Sequence, residues 1–229
     1  MTNIFGVLND NNVAPSLLNG LLRLQLGYGD FDWVSIATLM EGRIQHQQIG
    51  GNFQDLTSLL QKQPIYGRFG IACTRQKCHN KLGRHNAYLC ATKQVAIAHH
   101  GFIENIRDIR KELLKFGYEF NTATDGEVIL RLLHRYLDMG LSPIEASVVT
   151  LARLEGYFAT IALFANQPDL LVATRRGCSL AIGANENRLY IGSDTNALSL
   201  LGSQVMRIEE GSPVVLRSVK TTLTNFPIN

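Results

Sequence analysis

Several stretches of this chain are apolar at consecutive positions instead of alternating with polar residues. Val95-Ala96-Ile97-Ala98, Tyr157–Phe164 and Leu170–Thr174 are the plainest cases. A short continuous apolar run bounded by turn residues reads as a strand buried on both faces. Strand patterns crowd the beginning and the end of the chain, and helical patterns lie between them. Two packed sheets with helices outside would cover such strands on both sides. The expectation is therefore one α+β domain spanning residues 1–229.

Along the chain, Asn3 to Leu8 reads as a first strand and Pro15 to Leu26 as a buried helix with Pro in its first turn. Gly27 to Asp30 is a loop. Trp33 to Met40 and Arg43 to Ile49 form a strand pair around the Glu41-Gly42 turn. Asn52 to Leu60 is helical, and Tyr66 to Thr74 is a strand that runs into the polar segment Arg75 to Asn80. An irregular loop continues to Cys90. The run 95–98 then stops at His99-His100-Gly101, and a helix with Ile106, Ile109, Leu113 and Leu114 on one face follows. Thr124-Asp125-Gly126-Glu127 and Ser142-Pro143-Ile144-Glu145 carry the capping-box pattern of helix starts. After Gly156 the period becomes that of strands, with runs at Tyr157–Phe164, Leu170–Thr174, Leu180–Ile182, Leu189–Ser193 and Val205–Ile208.

A net charge of +3 with dispersed basic residues gives no footprint for nucleic acid. No apolar run reaches the roughly 18 residues of a membrane helix, and the N-terminus lacks a signal-like segment, so a cytoplasmic protein with reduced thiols is expected. Cys73, Cys78, His79, His85 and Cys90 lie close in sequence, but C-x4-C-H-x5-H-x4-C fits no usual zinc pattern. Neither a metal nor a cofactor is expected.

Three polar patches sit where strands end or helices begin: Arg75 to Asn80, His99 to Gly101, and Thr124 to Glu127. Asp125 suits an N-cap, and Arg75 suits either a surface charge or a carboxylate clamp. Held across one pocket, the two fit a zwitterionic amino acid, Arg75 for its carboxylate and Asp125 for its ammonium.

Read together, the patches resemble a known family. Asn3-Ile4-Phe5-Gly6, Gly20-Leu21-Leu22-Arg23-Leu24, Gly70-Ile71-Ala72-Cys73-Thr74-Arg75 and His99-His100-Gly101-Phe102-Ile103-Glu104-Asn105 carry the first half of the likeness. Thr124-Asp125-Gly126-Glu127-Val128-Ile129, Leu154-Glu155-Gly156-Tyr157 and Ser193-Asp194-Thr195-Asn196-Ala197-Leu198 carry the second. In this order the motifs resemble the glutaminase domain of the class II, N-terminal-nucleophile glutamine amidotransferases, above all that of the glucosamine-6-phosphate synthases. The resemblance implies a four-layer αββα sandwich of the N-terminal-nucleophile hydrolase type. It implies hydrolysis of glutamine to glutamate and ammonia by an N-terminal cysteine whose own α-amine is the base. It also implies that the chain ends about where that domain ends, with no sugar-isomerase domain.

The resemblance carries the family's substrate-binding positions onto Arg75, Gln76, Cys78, His79 and Asp125, and the oxyanion glycine onto Gly101. The nucleophile falls on Thr2 and the oxyanion asparagine on His100. Gln76 stands where the family has Trp, Cys78 where it has Thr, and Tyr88 where it has His. The substrate-holding pair is thus kept while the reacting groups are changed. A hydroxyl is a poorer nucleophile than a thiol near neutral pH. Loss of one oxyanion donor costs on the order of 100- to 1000-fold. The expectation is a catalytically defective domain that binds glutamine or another amino acid and serves a regulatory or structural role, beside a separately encoded synthase or isomerase subunit. The alternative is an amidohydrolase that uses Thr2 as N-terminal nucleophile after removal of Met1.

Overall fold

The computed structural model describes residues 2–9, 11–28, 31, 33–75, 88–185, 188–201, 204–217 and 224–225. The first strand, β1 (Thr2–Asn9), is followed by helix α1 (Ala14–Tyr28), the hairpin β2 (Trp33–Met40) and β3 (Arg43–Gly50), and α2 (Phe53–Lys62). Next come β4 (Phe69–Arg75), β5 (Tyr88–Ala91) and β6 (Val95–Ile103). Three helices fill the middle: α3 (Ile106–Lys115), α4 (Asp125–Asp138) and α5 (Pro143–Arg153). The last part holds β7 (Gly156–Phe164), β8 (Gln167–Arg176), β9 (Ala181–Asn185), β10 (Arg188–Gly192), α6 (Thr195–Ser199), β11 (Gln204–Arg207), β12 (Val214–Arg217) and β13 (Thr224–Asn225).

Two antiparallel sheets result, in the orders β11-β9-β10-β1-β4-β2-β3 and β13-β12-β8-β7-β6-β5. Alternation along each strand sorts side chains between two cores. In β1, Ile4 and Leu8 face the second sheet, while Phe5 and Val7 face α1. The inter-sheet core adds Ile71 and Cys73 of β4, Ala96 and Ala98 of β6, and Ile161 and Leu163 of β7. On the other face of β6, Val95 and Ile97 meet Ile129, Leu132 and Leu133 of α4. Helices α1, α2 and α6 thus cover the first sheet, and α3 to α5 the second. The four layers are those of the αββα sandwich.

Several expected boundaries move. The strand expected at 95–98 continues through His99, His100 and Gly101 to Ile103, paired residue for residue with β7. His99 is fully buried, so its polarity does not mark a turn. Part of the loop expected up to Cys90 is the strand β5, paired with β6. The helix expected to end at Leu26 reaches Tyr28. At Ser142 the capping box is complete. At Thr124 only half of it forms: Thr124 accepts from the Glu127 N–H, but the Glu127 carboxylate turns elsewhere. The cap is Thr124, not Asp125.

Candidate functional site

The described candidate residues stand toward the ends of their elements: Thr2 begins β1, Arg75 ends β4, His100 and Gly101 lie near the end of β6, and Asp125 begins α4. Antiparallel pairing sets Thr2, the first residue of β1, opposite Arg75, the last of β4. Arg75 also pairs with Trp33 of β2, and its guanidinium carbon lies 5.7 Å from that ring centre. The Arg75 charge is therefore held at the sheet end by an aromatic face. The N-terminal strand is tied down beside it. Ser193 Oγ accepts from the Ile4 N–H at 3.2 Å and donates to Asn3 Oδ1 at 3.4 Å, and the Ser193 N–H donates to the Ile4 carbonyl at 3.1 Å. Asp194 then caps α6 through the N–H groups of Asn196 and Ala197. The Ser193-Asp194 motif is thus an anchor for the start of the chain.

In the second sheet, His100 pairs with Ala159 and Gly101 with Phe158. Gly101 has φ +110°, a conformation that suits glycine. A Cβ there would stand 2.2 Å from the Tyr157 carbonyl oxygen and 2.8 Å from Phe158 Cα, both backbone atoms. Only glycine fits that bend. The strand is kept in place by the turn after it. Asn105 donates from Nδ2 to the Arg153 carbonyl at 2.8 Å and accepts from the Glu155 N–H at 3.2 Å, while the Glu104 N–H reaches the Glu155 carbonyl at 2.9 Å. The motifs His99–Asn105 and Leu154–Tyr157 are two sides of one clamp.

Asp125 is buried, 7% exposed, at the first position of α4. Its Oδ2 accepts from the Ile103 N–H at 3.4 Å, two residues beyond Gly101. The helix start and the bent strand are thereby joined. Behind Asp125, Glu127 gathers the preceding turn. Its carboxylate accepts from the N–H groups of Asn121 at 2.9 Å and Thr122 at 2.6 Å, and from Thr122 Oγ1 at 2.7 Å. Arg131 approaches it at 3.4 Å. Burial alone would raise the Glu127 pKa, but the hydrogen bonds and the Arg131 charge outweigh it and the net shift is downward. Glu127 was legible in sequence only as half of a capping box.

Beside Asp125 opens a cavity of about 500 Å³, bordered by Phe102, Ile106, Arg107, Arg110, Ala123 and Val128. A second cavity, of about 510 Å³, lies at the opposite end of the sandwich between the β2–β3 turn and Pro168-Asp169. None of the residues singled out from sequence border it, and the site chemistry does not extend there.

Gln76, Cys78 and His79 lie outside the described residues, as does His85. Among the described residues no three His, Cys, Asp or Glu side chains gather as a metal site. Cys73 packs in the inter-sheet core, whereas Cys90 packs toward α4. Burial drives the Cys73 thiol far above its ordinary pKa and pushes Cys90 up to about 11, so neither is a thiolate near neutral pH. No helix among the described residues is long and apolar enough to cross a membrane.

Comparison with known proteins agrees with this fold. Residues 74–200, more than half of the chain, match the model of a glutamine amidotransferase domain. The glutamine–fructose-6-phosphate aminotransferases (isomerizing) of Bradyrhizobium diazoefficiens and Bartonella quintana are each 38% identical over 97% of this chain. The chain spans 36% of either relative. Among solved structures, glutamine phosphoribosylpyrophosphate amidotransferase from B. subtilis superposes with a TM-score of 0.80 at 18% identity, covering 99% of this chain and 50% of that one. A glutamine aminotransferase class-II domain protein from Silicibacter pomeroyi gives 0.65 at 11% identity, over 99% of this chain and 100% of that one. The two-sheet sandwich, the motif order and these likenesses agree: this chain belongs to the glutamine amidotransferase domain family, of class II with the N-terminal-nucleophile fold, and is similar to the glutaminase part of glucosamine-6-phosphate synthase.

Proposed function

We propose that this domain binds glutamine, or an amino acid like it, between Arg75 and Asp125 and hydrolyses it poorly or not at all. The observation that carries the reading is the Asp125 carboxylate, buried at the start of α4 and joined through the Ile103 N–H to the strand that bears His100 and Gly101. A buried carboxylate at that point suits an ammonium group, and the Arg75 guanidinium suits a carboxylate. The reacting positions differ from what efficient amide hydrolysis asks for. Position 2 offers a hydroxyl for a thiol, and position 100 offers an imidazole, longer and differently shaped, for a carboxamide donor. Gly101 supports the remaining oxyanion N–H. The product of binding is then a regulatory or structural signal, passed to a synthase or isomerase partner of the kind fused in the relatives.

Calorimetry with glutamine and glutamate on the wild type and on Arg75→Ala tests the binding half. Millimolar or tighter affinity that weakens at least tenfold in the variant is expected; no heat with either ligand at millimolar concentration removes the reading. Ammonia release from glutamine by wild type, Thr2→Cys and Thr2→Cys/His100→Asn tests the catalytic half. Activity is expected to be near background in wild type and to rise stepwise in the variants. Wild-type turnover accompanied by an intact mass lacking Met1 favours Thr2 as a working nucleophile, with its freed α-amine as base.

A further inference from the structure

The cavity beside Asp125 is larger than a single amino acid needs, and its outer wall is cationic. Resting on the amino-acid-binding reading above, we propose that this wall, Arg107 and Arg110 of α3, is a subsite for a second anionic group, so that the preferred ligand is an amino acid extended by a carboxylate or phosphate beyond its α-carbon.

The helix places the two arginines together. At a spacing of three residues their side chains are neighbours on one face of α3, and both border the cavity that Asp125 closes from the α4 side. Neither is ion-paired to a carboxylate among the described residues. The Arg110 guanidinium lies 4.2 Å from the centre of the Phe120 ring. Stacking of this kind uses the flat face of the group and leaves its N–H edges for a planar or tetrahedral anion. Arg107 is exposed and has no carboxylate partner among the described residues. Of the acidic residues nearby, two are engaged elsewhere. Asp108 pairs with Lys111 at 3.6 Å, and Glu127 is taken up by Asn121, Thr122 and Arg131. Two like charges on adjacent positions repel, and an anion between them relieves that repulsion and gains charge-assisted hydrogen bonds.

The ligand's own geometry agrees. An ammonium on Asp125 and an α-carboxyl group share one carbon, so a residue attached through that carboxyl begins beside Asp125; the amide so formed gives up the ion pair with Arg75, and the anionic group of the added residue is taken by Arg107 and Arg110 instead. A cavity of about 500 Å³ is within the range of sites for ligands larger than one amino acid. Phe102 and Ile106 supply the apolar wall between the two polar ends.

The test compares L-glutamine with three dipeptides: glutaminyl-glutamate, glutaminyl-O-phosphoserine and glutaminyl-lysine. Either acidic dipeptide is expected to bind about tenfold or more tightly than glutaminyl-lysine, the stronger of the two identifying carboxylate or phosphate as the better fit. Arg107→Gln/Arg110→Gln should erase that preference and leave glutamine affinity within about twofold, whereas Arg107→Lys/Arg110→Lys should keep part of it. Glutamine binding without any charge preference, or a preference that survives the double Gln variant, overturns the subsite while leaving the amino-acid reading intact. Arginine-dependent binding of an acidic dipeptide without binding of glutamine upholds the subsite and removes the free-glutamine reading. Silence from every ligand overturns both.

Discussion

The two helical layers cover their sheets by different means. On the first sheet, the described part of α1 packs against β1 by shape. Gly20 lies so close to Phe5 that a Cβ would meet that ring at 2.2 Å, and Phe5 in turn stacks on Tyr190 with centroids 6.1 Å apart. α1 has no acidic residue in its first turn and no basic residue in its last. On the second sheet, α3 to α5 pack an apolar core as well, but their ends are laced with polar bonds. Glu127 winds the turn before α4, Asn105 grips the end of α5, and Arg153 of α5 meets Glu112 of α3 at 2.6 Å. The helices around Asp125 are joined to one another by oriented, direction-sensitive contacts that the described part of α1 lacks. Hydrophobic burial fixes distance but not direction, whereas hydrogen bonds fix both, and the ligand-binding role proposed for Asp125 needs both.

The largest effect should come from the first layer. Phe5→Ala should cost about 3–5 kcal/mol of stability by leaving a cavity among Gly20, Tyr190 and Leu17. Ligand affinity of the fraction that remains folded should not change, as read by denaturant melts and calorimetry on the same samples. A loss of affinity equal to the loss of stability would break the distinction between the layers. Next, Glu127→Ala should cost about 1–3 kcal/mol by leaving the Asn121 and Thr122 N–H groups unsatisfied, and here affinity for ammonium-bearing ligands should fall as well. Combined with Phe5→Ala the stability losses should add, since the two sites share no partner.

The smallest effect is set by pH. His134 is partly buried against Thr92, with Nε2 2.9 Å from Thr92 Oγ1. Burial lowers its pKa, Arg131 adds to this, and Asp138 opposes it. The unfolded chain therefore binds a proton more readily than the folded one between the two pKa values. The stability His134 contributes is full above its ordinary pKa near 6.5 and falls as pH drops below that value toward the lowered one. His134→Gln should flatten the part of the stability profile just below pH 6.5. An unchanged profile would remove His134 as its source.

Much of this arrangement was readable from residue order, and the exceptions share a cause. β2 and β3 fell where alternation and the Glu41-Gly42 turn put them, and α5 began at its capping box. Residues 99–101 misled because two histidines and a glycine look like a turn. Here the polar His99 is buried inside a strand and the glycine supplies a bend without ending it. β5 and β12 have four residues each, too short for a period to show. α6, with five residues and a cap from Asp194, is likewise too short for a helical period to show. Among the candidate residues, Arg75, Gly101 and Asp125 were singled out by their motifs. The use of Glu127 to wind the turn before the helix was not, because the same residue pattern also writes an ordinary capping box.

The tie between Ile4 and Ser193 joins groups 189 residues apart. β1 lies inside its sheet, with β4 on one side and β10 on the other. The β4 side becomes available early in synthesis. The β10 side does not exist until nearly the whole domain has been made, about 6–23 s later at ordinary rates of elongation. During that interval β1 and β4 present an open edge, apolar on both faces and ready to pair with another chain. Folding of the first sheet is thereby tied to completion of the chain, and a nascent copy stalled short of Ser193 is the form most exposed to aggregation.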